Sequence, residues 1–384
     1  MQSGRQILTG FPNEWYRQMR ATEPVYFEPR IEHWYIFRYD DALRVLTDPA
    51  TFSSETGQPG ILGMDPPRHN LLRNLVSLAF TPRVVAQLEP KITEVANSLL
   101  DAVIDRGEMD VIHDFAYPLP ATIIAELLGV PSQERAMFIR WSNIISSGQL
   151  LASSQVSNAE ARRQAEKDFQ DYLARKLEER RHQLDDGLMS RLILAEVDGQ
   201  RLYPEELLSF CYLLLFAGYE TTANLIGNAM LAFAEHPDET EELRLNPELM
   251  PNAIEEILRC YAPVIGAVRV VENNVTIRKQ ALKRGDRVIV RVDSANYDEA
   301  QFTSPEHFMI RRSPNRHLSF GHGIHYCLGA PLARLEGRIA LNLFLQRLRD
   351  VRRNEDRPLE GIHSPFLLGL TSYPITFKAS RKSS

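Results

Sequence analysis

The sequence is poor in several features that mark common classes of protein. Its 384 residues include only three cysteines, an odd number spread far apart, which argues against the disulfide framework of a secreted domain. The net charge of −6 leaves no basic excess for a nucleic-acid-binding face. No apolar run is long enough to span a membrane or to act as a signal peptide. We therefore expect a soluble, cytoplasmic protein that has no membrane anchor and binds no nucleic acid.

The chain also lacks an obvious point of division. Hydrophobic residues make up 44% of it, enough to bury a large core, and it contains no linker, low-complexity tract or internal repeat. Although a chain of this length often holds two or three domains, we interpret residues 1–384 as a single domain.

Apolar residues recur at three- and four-residue spacing through most of the chain, which predicts a mainly α fold. The predicted helices lie at 40–46, 90–103, 120–128, 159–183, 204–235 and 330–348. Aromatic and β-branched runs predict a hairpin at 24–27 and 34–37, a strand at 288–292 and a second hairpin within 367–377. We thus expect a large helical domain with small β-sheets near the N- and C-terminal parts.

One cysteine, Cys327, lies in a glycine-rich loop directly before a predicted helix. Gly321 and Gly323 let the backbone turn tightly and approach a flat, bulky group. The N-terminus of a helix favours the thiolate form of a nearby cysteine, and a thiolate is a good ligand for heme iron. Cys211 and Cys260 have no such surroundings and are interpreted as small buried hydrophobic residues.

The predicted helix 204–235 contains an unusual turn in its middle, Ala217-Gly218-Tyr219-Glu220-Thr221-Thr222. Gly218 costs about 1 kcal/mol relative to alanine in a helix. Thr221 can donate its hydroxyl to a carbonyl one turn earlier and bend the helix. These residues are consistent with a groove beside the helix axis, and equally with an ordinary buried helix whose glycine allows close packing.

These features resemble the cytochrome P-450 family, and the resemblance covers nearly the whole chain, from about Phe37 to Phe377. The loop that resembles the family's heme-binding loop reads Phe320-Gly321-His322-Gly323-Ile324-His325-Tyr326-Cys327-Leu328-Gly329. The resemblance implies the cytochrome P-450 fold, heme b as cofactor and Cys327 as the axial ligand of the heme iron. The cofactor-binding residues that it implies, four of them as partners of the heme propionates, are His69, Arg73, Ala217, Gly218, Arg269, Phe320, Gly321, His325, Cys327 and Gly329.

The same resemblance gives catalytic roles to the unusual turn. Thr221 would hydrogen-bond the oxygen bound to iron, and Glu220 would relay protons from solvent, because cleavage of O₂ with loss of water consumes two protons. 

Glu256 and Arg259 are three residues apart on one helix face, a spacing typical of an exposed ion pair. In the family this spacing marks a buried pair that supports the heme loop. The family's third partner comes from a Pro-Glu-Arg-Phe segment, which here reads Pro305-Glu306-His307-Phe308. The third partner is therefore left open between His307 and Arg312.

By resemblance, mostly apolar residues line the distal pocket, so we expect a largely hydrophobic substrate. Residues 53–64 are fewer than is usual in the family and glycine-rich, which makes them poor helix formers and predicts a more open or mobile entrance. The predicted pocket residues are Ile61, Leu62, Met64, Leu213, Phe216, Val264, Ile265, Gly266, Ala267 and Leu368.

The function implied is that of a monooxygenase, which inserts one oxygen atom from O₂ into a hydrophobic small molecule by hydroxylation or epoxidation. The chain contains no flavin or iron–sulfur motif, so electrons would come from a separate ferredoxin or flavodoxin. An arginine-rich face around the cysteine loop is one candidate docking surface, with ordinary surface charge as the equal alternative. Its residues are Arg311, Arg312, Arg316, Arg334 and Arg338. A peroxide-dependent peroxygenase and a non-catalytic heme-binding protein remain the alternative functions.

Overall fold

Helices make up most of the protein, which we describe from a computed structural model that covers residues 13–58, 60–150 and 157–380. Each predicted helix is confirmed to within two residues at either end. The helices are α1 Asn13–Thr22, α2 Tyr39–Thr47, α3 Arg68–Ala79, α4 Pro82–Ala86, α5 Glu89–Ile104, α6 Pro118–Leu127, α7 Arg135–Leu150, α8 Ser157–His182, α9 Leu188–Leu194, α10 Pro204–Glu235, α11 Pro237–Leu245, α12 Met250–Cys260, α13 Val292–Ala295 and α14 Ala330–Arg347.

In the described part of the chain the strands form three small sheets. They are built from residues near the two ends of the chain, from the segment after α12 and from Glu108–Asp110. A five-stranded sheet has the order β1-β2-β8-β5-β3, in which only the β2–β8 pair is parallel. A three-stranded sheet has the order β4-β10-β9, and β6 pairs with β7. The strands are β1 Val25–Glu28, β2 His33–Ile36, β3 Phe52–Ser53, β4 Glu108–Asp110, β5 Gly266–Val271, β6 Val275–Ile277, β7 Gln280–Leu282, β8 Arg287–Arg291, β9 Leu348–Arg353 and β10 Pro374–Ala379.

The sheets confirm two of the sequence predictions and contradict a third. The N-terminal hairpin is formed by β1 and β2, and the predicted strand at 288–292 is β8. The second hairpin, predicted within 367–377, is wrong. Leu367 and Leu370 instead make isolated bridges to Val264 and Gly361, and β10 pairs with β4 and β9. The predicted segment does contain a strand, β10, but the strands that pair with it, β4 and β9, lie outside the segment, where a local pattern cannot identify them.

The segment before α3 contradicts another expectation. Gly60–Gly63 forms one turn of 3₁₀-helix, whereas the glycine content predicted a segment without helix. Gly60 adopts φ +67, and a Cβ atom at this position would lie 2.7 Å from the Ser209 Oγ of α10. The absence of a side chain at Gly60 therefore permits contact with α10. The expected lack of helix in this segment is wrong, whereas the more open or mobile entrance stays a prediction.

Helix α10 occupies the centre of the main hydrophobic cluster, which also draws on α5, α6, α12 and α14. Pro204 begins the helix, and the Tyr203 N–H donates to Glu206 Oε2 at 2.8 Å, which satisfies one of the free N–H groups at its start. Two glycines allow α10 to lie close to its neighbours: a Cβ at Gly218 would be 2.8 Å from Ile124 Cδ1, and one at Gly227 would be 2.7 Å from Ile112 Cδ1. 

None of the helices in the described part of the chain has the length and apolar character required to cross a bilayer.

Asn228 ties α10 to two segments that border the candidate site. Its side chain is fully buried, and its Nδ2 donates to the carbonyl oxygens of Tyr261 and Leu368, each at 3.0 Å. We predict that Asn228→Ala lowers the free energy of unfolding by about 2–3 kcal/mol, because two buried carbonyl groups lose their donor. Denaturant titration measures this loss. The control Asn273→Ala, at an exposed hydrogen bond, should cost less than about 0.5 kcal/mol, and an equal loss in both variants would contradict the prediction.

Candidate functional site

The loop that carries Cys327 is held in a tight conformation by its own backbone and by α2. The Cys327 N–H donates to the Phe320 carbonyl at 2.9 Å, and the Tyr326 N–H donates to the Gly323 carbonyl at 3.1 Å. Gly323 has φ +70, and a Cβ atom there would lie 2.7 Å from the Leu46 carbonyl oxygen. Only glycine fits both its backbone conformation and this close approach. The loop therefore presents Cys327 at the start of α14, as the sequence predicted.

Two opposing effects act on the Cys327 thiol. Burial raises its pKa, and the backbone N–H groups of Gly329 and Ala330 and the Arg73 guanidinium act in the opposite direction. Burial is the larger effect, so the helix N-terminus alone does not ionise the thiol. A coordinated metal ion deprotonates a thiol, and the same N–H groups and Arg73 are then placed to stabilise the thiolate.

Three basic side chains form a cluster at the cysteine loop: His69 and Arg269 are buried, and His325 is half-buried. The rings of His69 and His325 have centroids 4.3 Å apart, and the Nε2 atom of each is buried without a hydrogen-bond partner. Burial lowers the pKa of His69 and Arg269, and it lowers that of His325 to about 4. Arg73, whose pKa is also lowered by burial, donates from its NH2 to the Tyr326 carbonyl at 2.7 Å.

This cluster fits the carboxylates of heme b. Buried donors without acceptors are costly, and an anion bound among them would supply the missing partners and raise their pKa values. Together with a cysteine at a helix N-terminus, the unpaired Nε2 atoms are the features that a heme with two propionates requires. The donor set therefore agrees with the cofactor implied by the sequence.

The central turn of α10 holds an acid and an alcohol in different surroundings. Thr221 Oγ1 donates to the Ala217 carbonyl at 2.6 Å, as its sequence position predicted. Glu220 is 1% exposed, and neither of its carboxyl oxygens has a hydrogen-bond partner. Burial raises the pKa of Glu220 to about 7. Ala217 is exposed although it lies in the middle of the helix, so free space adjoins the helix at this turn.

Gly218, which the sequence placed among the cofactor-binding residues, faces the Ile124 side chain of α6. The structure thus gives it a packing role between two helices, one of the two alternatives that the sequence left open. A role at the cofactor stays a prediction.

Glu256 and Arg259 form a buried ion pair rather than a surface one. Both side chains have 0% exposure, and Arg259 Nε and NH2 each donate to the carboxylate at 2.8 Å. Arg312 is the third partner, because its Nε lies 3.0 Å from both oxygens of Glu256. His307 contributes only its backbone carbonyl, which accepts from both arginines. Burial raises the pKa of Glu256, but hydrogen bonds from Arg259 outweigh this effect and hold the pKa below its ordinary value.

The proposed arginine-rich docking face is smaller than the sequence predicted. Arg312 is buried against Glu256, so it belongs to the core and not to the surface. Arg334 packs its guanidinium over the Phe320 ring at 4.5 Å and donates to Glu255 through Nε at 2.7 Å and NH2 at 2.8 Å. Burial raises the pKa of Glu255, but hydrogen bonds from Arg334 and His317 outweigh this effect and lower the pKa to about 2. Arg334 therefore supports the cysteine loop, a role that the sequence did not indicate.

The predicted pocket residues come from four segments, and the structure joins two of them directly, 264–267 and the segment that contains Leu368. Val264 bridges Leu367, and the Ile265 N–H donates to the Phe366 carbonyl at 2.8 Å. Gly266 lies against the Phe366 ring, where a Cβ would be 3.1 Å from Cδ1. Leu368 and Ile265 are buried, at 2% and 4% exposure. The half-buried predicted pocket residues are Ile61, Met64, Leu213, Phe216, Val264 and Ala267, and Leu62 is exposed.

Comparison with known proteins agrees with this geometry. The family model "Cytochrome P450" matches residues 43–379. A putative cytochrome P450, YjiB of Bacillus subtilis, is 43% identical over 372 residues, which are 95% of this chain and 93% of that protein. The cyclomarin C epoxidase CymV of Salinispora arenicola is 40% identical, with 95% and 96% covered. The crystal structure of CYP109E1 from Bacillus megaterium in complex with testosterone is 37% identical, with a TM-score of 0.90, and the match covers 95% of this chain and 99% of that one.

The three-part charge cluster around Glu256 generates a stability prediction. Glu256→Gln keeps the shape of the side chain but leaves Arg259 and Arg312 as buried cations without a counter-charge. We expect the free energy of unfolding to fall by about 3–5 kcal/mol in denaturant titration. The control Glu242→Gln removes an ion pair with Arg311, whose side chain is 60% exposed, and should cost less than about 1 kcal/mol. A loss below about 1 kcal/mol for Glu256→Gln would contradict the buried-charge account.

The raised pKa of Glu220 generates a pH prediction. The folded protein favours the protonated acid, so this group's contribution to stability is complete below its ordinary pKa of 4.5 and is lost as the pH rises through about 7. Relative to Glu220→Gln, the unfolding free energy of the native protein should therefore fall by roughly 3 kcal/mol between about pH 4.5 and about pH 7.5. Denaturant titrations at a series of pH values measure it. Glu205→Gln, on the exposed first turn of α10, controls for the substitution itself, and a constant difference for Glu220→Gln would refute the burial effect.

Proposed function

The chain belongs to the cytochrome P450 family of heme monooxygenases, and on that premise we propose that it inserts one oxygen atom from O₂ into an apolar small molecule, with electrons from a separate ferredoxin or flavodoxin. One observation carries the proposal: a single turn of α10 holds a buried, unpaired carboxyl group next to a hydroxyl group, beside free space. A protein that only binds heme has no use for a proton donor of this kind. The cytoplasmic location stays a prediction.

Heme b, when bound to the Cys327 sulfur, supplies the iron that binds and activates O₂. The chain's own residues would orient the cofactor and deliver protons. We propose that His69, Arg269 and His325, with Arg73, hold the two propionates. Gly329 and Ala330 direct N–H groups at the sulfur, and Arg334 fixes Phe320 beside the loop.

Proton delivery follows from the states of Glu220 and Thr221. With a pKa of about 7, Glu220 can give up and regain a proton near neutral pH, which is the property of an efficient general acid. The Thr221 hydroxyl spends its single hydrogen on the Ala217 carbonyl, so its lone pairs are free to accept a hydrogen bond. We propose that Glu220 supplies protons at this turn and that Thr221, by accepting a hydrogen bond, orients the group that receives them.

The substrate is proposed to be bulky and hydrophobic. The pocket residues are apolar, and two relatives support this choice: one is described as an epoxidase of cyclomarin C, and one was crystallised with testosterone. Both hydroxylation and epoxidation are consistent with this chain, and the substrate itself is left open.

Two substitutions separate oxygen activation from heme binding. Thr221→Val keeps the branched shape but removes the hydroxyl, and it should divert several-fold more O₂ to hydrogen peroxide. Thr221→Ser keeps the hydroxyl and should keep O₂ consumption coupled to product formation.

Glu220→Gln should lower the turnover rate by roughly a hundredfold, because the glutamine side chain cannot donate a proton as an acid. Product, peroxide and NADPH consumption are measured with a surrogate ferredoxin system, and all variants should keep the native heme spectrum. Full coupled turnover by Thr221→Val, or turnover by the native protein with peroxide alone, would contradict the proposal.

A further inference from the structure

The start of α3, five residues after the helical turn Gly60–Gly63, is attached to the start of α10 by an ion pair between Arg68 and Glu206. Arg68 Nε donates to Glu206 Oε1 at 2.9 Å, and Arg68 NH2 donates to the same oxygen. The two residues are 138 positions apart in the chain. We refer to Arg68, Tyr203 and Glu206 as the clasp.

The clasp has more contacts than an isolated surface ion pair. Glu206 Oε2 accepts a hydrogen bond from the Tyr203 N–H at 2.8 Å, so the carboxylate is oriented independently of Arg68. The guanidinium carbon of Arg68 lies 4.9 Å from the centroid of the Tyr203 ring, which confines the second side chain. Exposed pairs contribute little, in part because two flexible side chains must be ordered. Here that cost is reduced on both sides, and Glu206 is only 14% exposed.

The clasp acts on the face of α10 that leads to the acid–alcohol turn. Glu206, Ser209, Leu213 and Phe216 are spaced three, four and three residues apart, which places them along one side of the helix. Gly60 touches the second of these residues, since a Cβ there would be 2.7 Å from Ser209 Oγ. The turn that carries Ile61 and Leu62 is thus held at the beginning of the same face whose later residues are predicted to contact the substrate.

We propose that the clasp is a positioning device for substrate binding. The Arg68–Glu206 ion pair holds the turn Gly60–Gly63 over the apolar face of α10, where its side chains complete the wall of the substrate site, and bulky apolar molecules enter and leave when the ion pair opens. The inference rests on the proposed function, because it takes this face as part of the substrate site. Arg68 and Glu206 act through the turn and do not themselves touch the reacting atoms.

Three variants test the clasp while preserving the helix start. Glu206→Gln removes the charge but keeps an amide oxygen that can accept from the Tyr203 N–H. Arg68→Gln removes the other partner, and the double variant combines the two. The probe is 4-phenylimidazole, an apolar azole whose nitrogen binds heme iron and changes its absorption. Stopped-flow measurement on the heme-loaded protein gives its rates of binding and release.

Both single variants should raise both rate constants by roughly three- to tenfold, and the double variant should raise them no further, because the same ion pair is broken in each. The matched control is Arg201→Gln, which breaks the Arg201–Glu196 pair just before α10, and its rates should equal those of the native protein. Hydrogen exchange of the backbone amides of residues 60–65 should become faster in the clasp variants and not in the control.

The possible failures are distinguishable. Unchanged rates in the clasp variants, with a normal thiolate-ligated heme spectrum, overturn the inference and leave the proposed function intact. Faster hydrogen exchange with unchanged rates also overturns it, because the turn would then be held by the clasp without controlling access. A native protein without the thiolate-ligated spectrum overturns the proposed function and, with it, the inference.

Discussion

The carboxylate of Glu256, which has no exposed surface, is the constraint on which the rest of the site depends. A buried charge must be paired, and the partners that pair it are two arginines and the Asn315 amide, whose Nδ2 donates at 3.0 Å. Arg312 and Asn315 belong to the segment that leads into the cysteine loop, so this segment must return to α12. Ser319, just before the loop, extends the attachment by donating to the Leu258 carbonyl at 2.7 Å. The position of Cys327 is thus fixed by charge pairing in the core.

Opposite electrostatic environments surround the cofactor position. On one side, burial lowers the pKa values of His69, Arg269 and His325 by more than the nearby Asp65 carboxylate raises them, so heme carboxylates bound among them would relieve an unfavourable state of the protein alone. On α10, burial raises the pKa of Glu220, whose carboxyl oxygens have no hydrogen-bond partner, to about 7, so this acid exchanges its proton near neutral pH. The first environment is suited to hold the cofactor, and the second is suited to proton transfer. Burial causes both, and the sign of its effect depends only on whether the group is a base or an acid.

Local patterns in the sequence predicted what local interactions determine. Periodicity predicted the helices, and the position of Thr221 predicted its bond to Ala217. Residues that act through distant contacts were missed or left open. The choice of Arg312 over His307, the support of the loop by Arg334 and the pairing of Arg68 with Glu206 all depend on which segments meet in space. The tail was assigned to a hairpin for the same reason. That residues 1–384 form one domain stays a prediction.

The most direct test of this account is the difference spectrum of the purified, reduced protein with and without carbon monoxide. Ligation of heme iron by the Cys327 thiolate predicts the strongly red-shifted Soret band that is characteristic of carbon monoxide bound opposite a thiolate, and its loss in Cys327→Ala. A Soret band at the shorter wavelength typical of histidine or neutral thiol ligation, or an absence of heme, would contradict the claim that the buried charge cluster around Glu256 presents Cys327 to the cofactor.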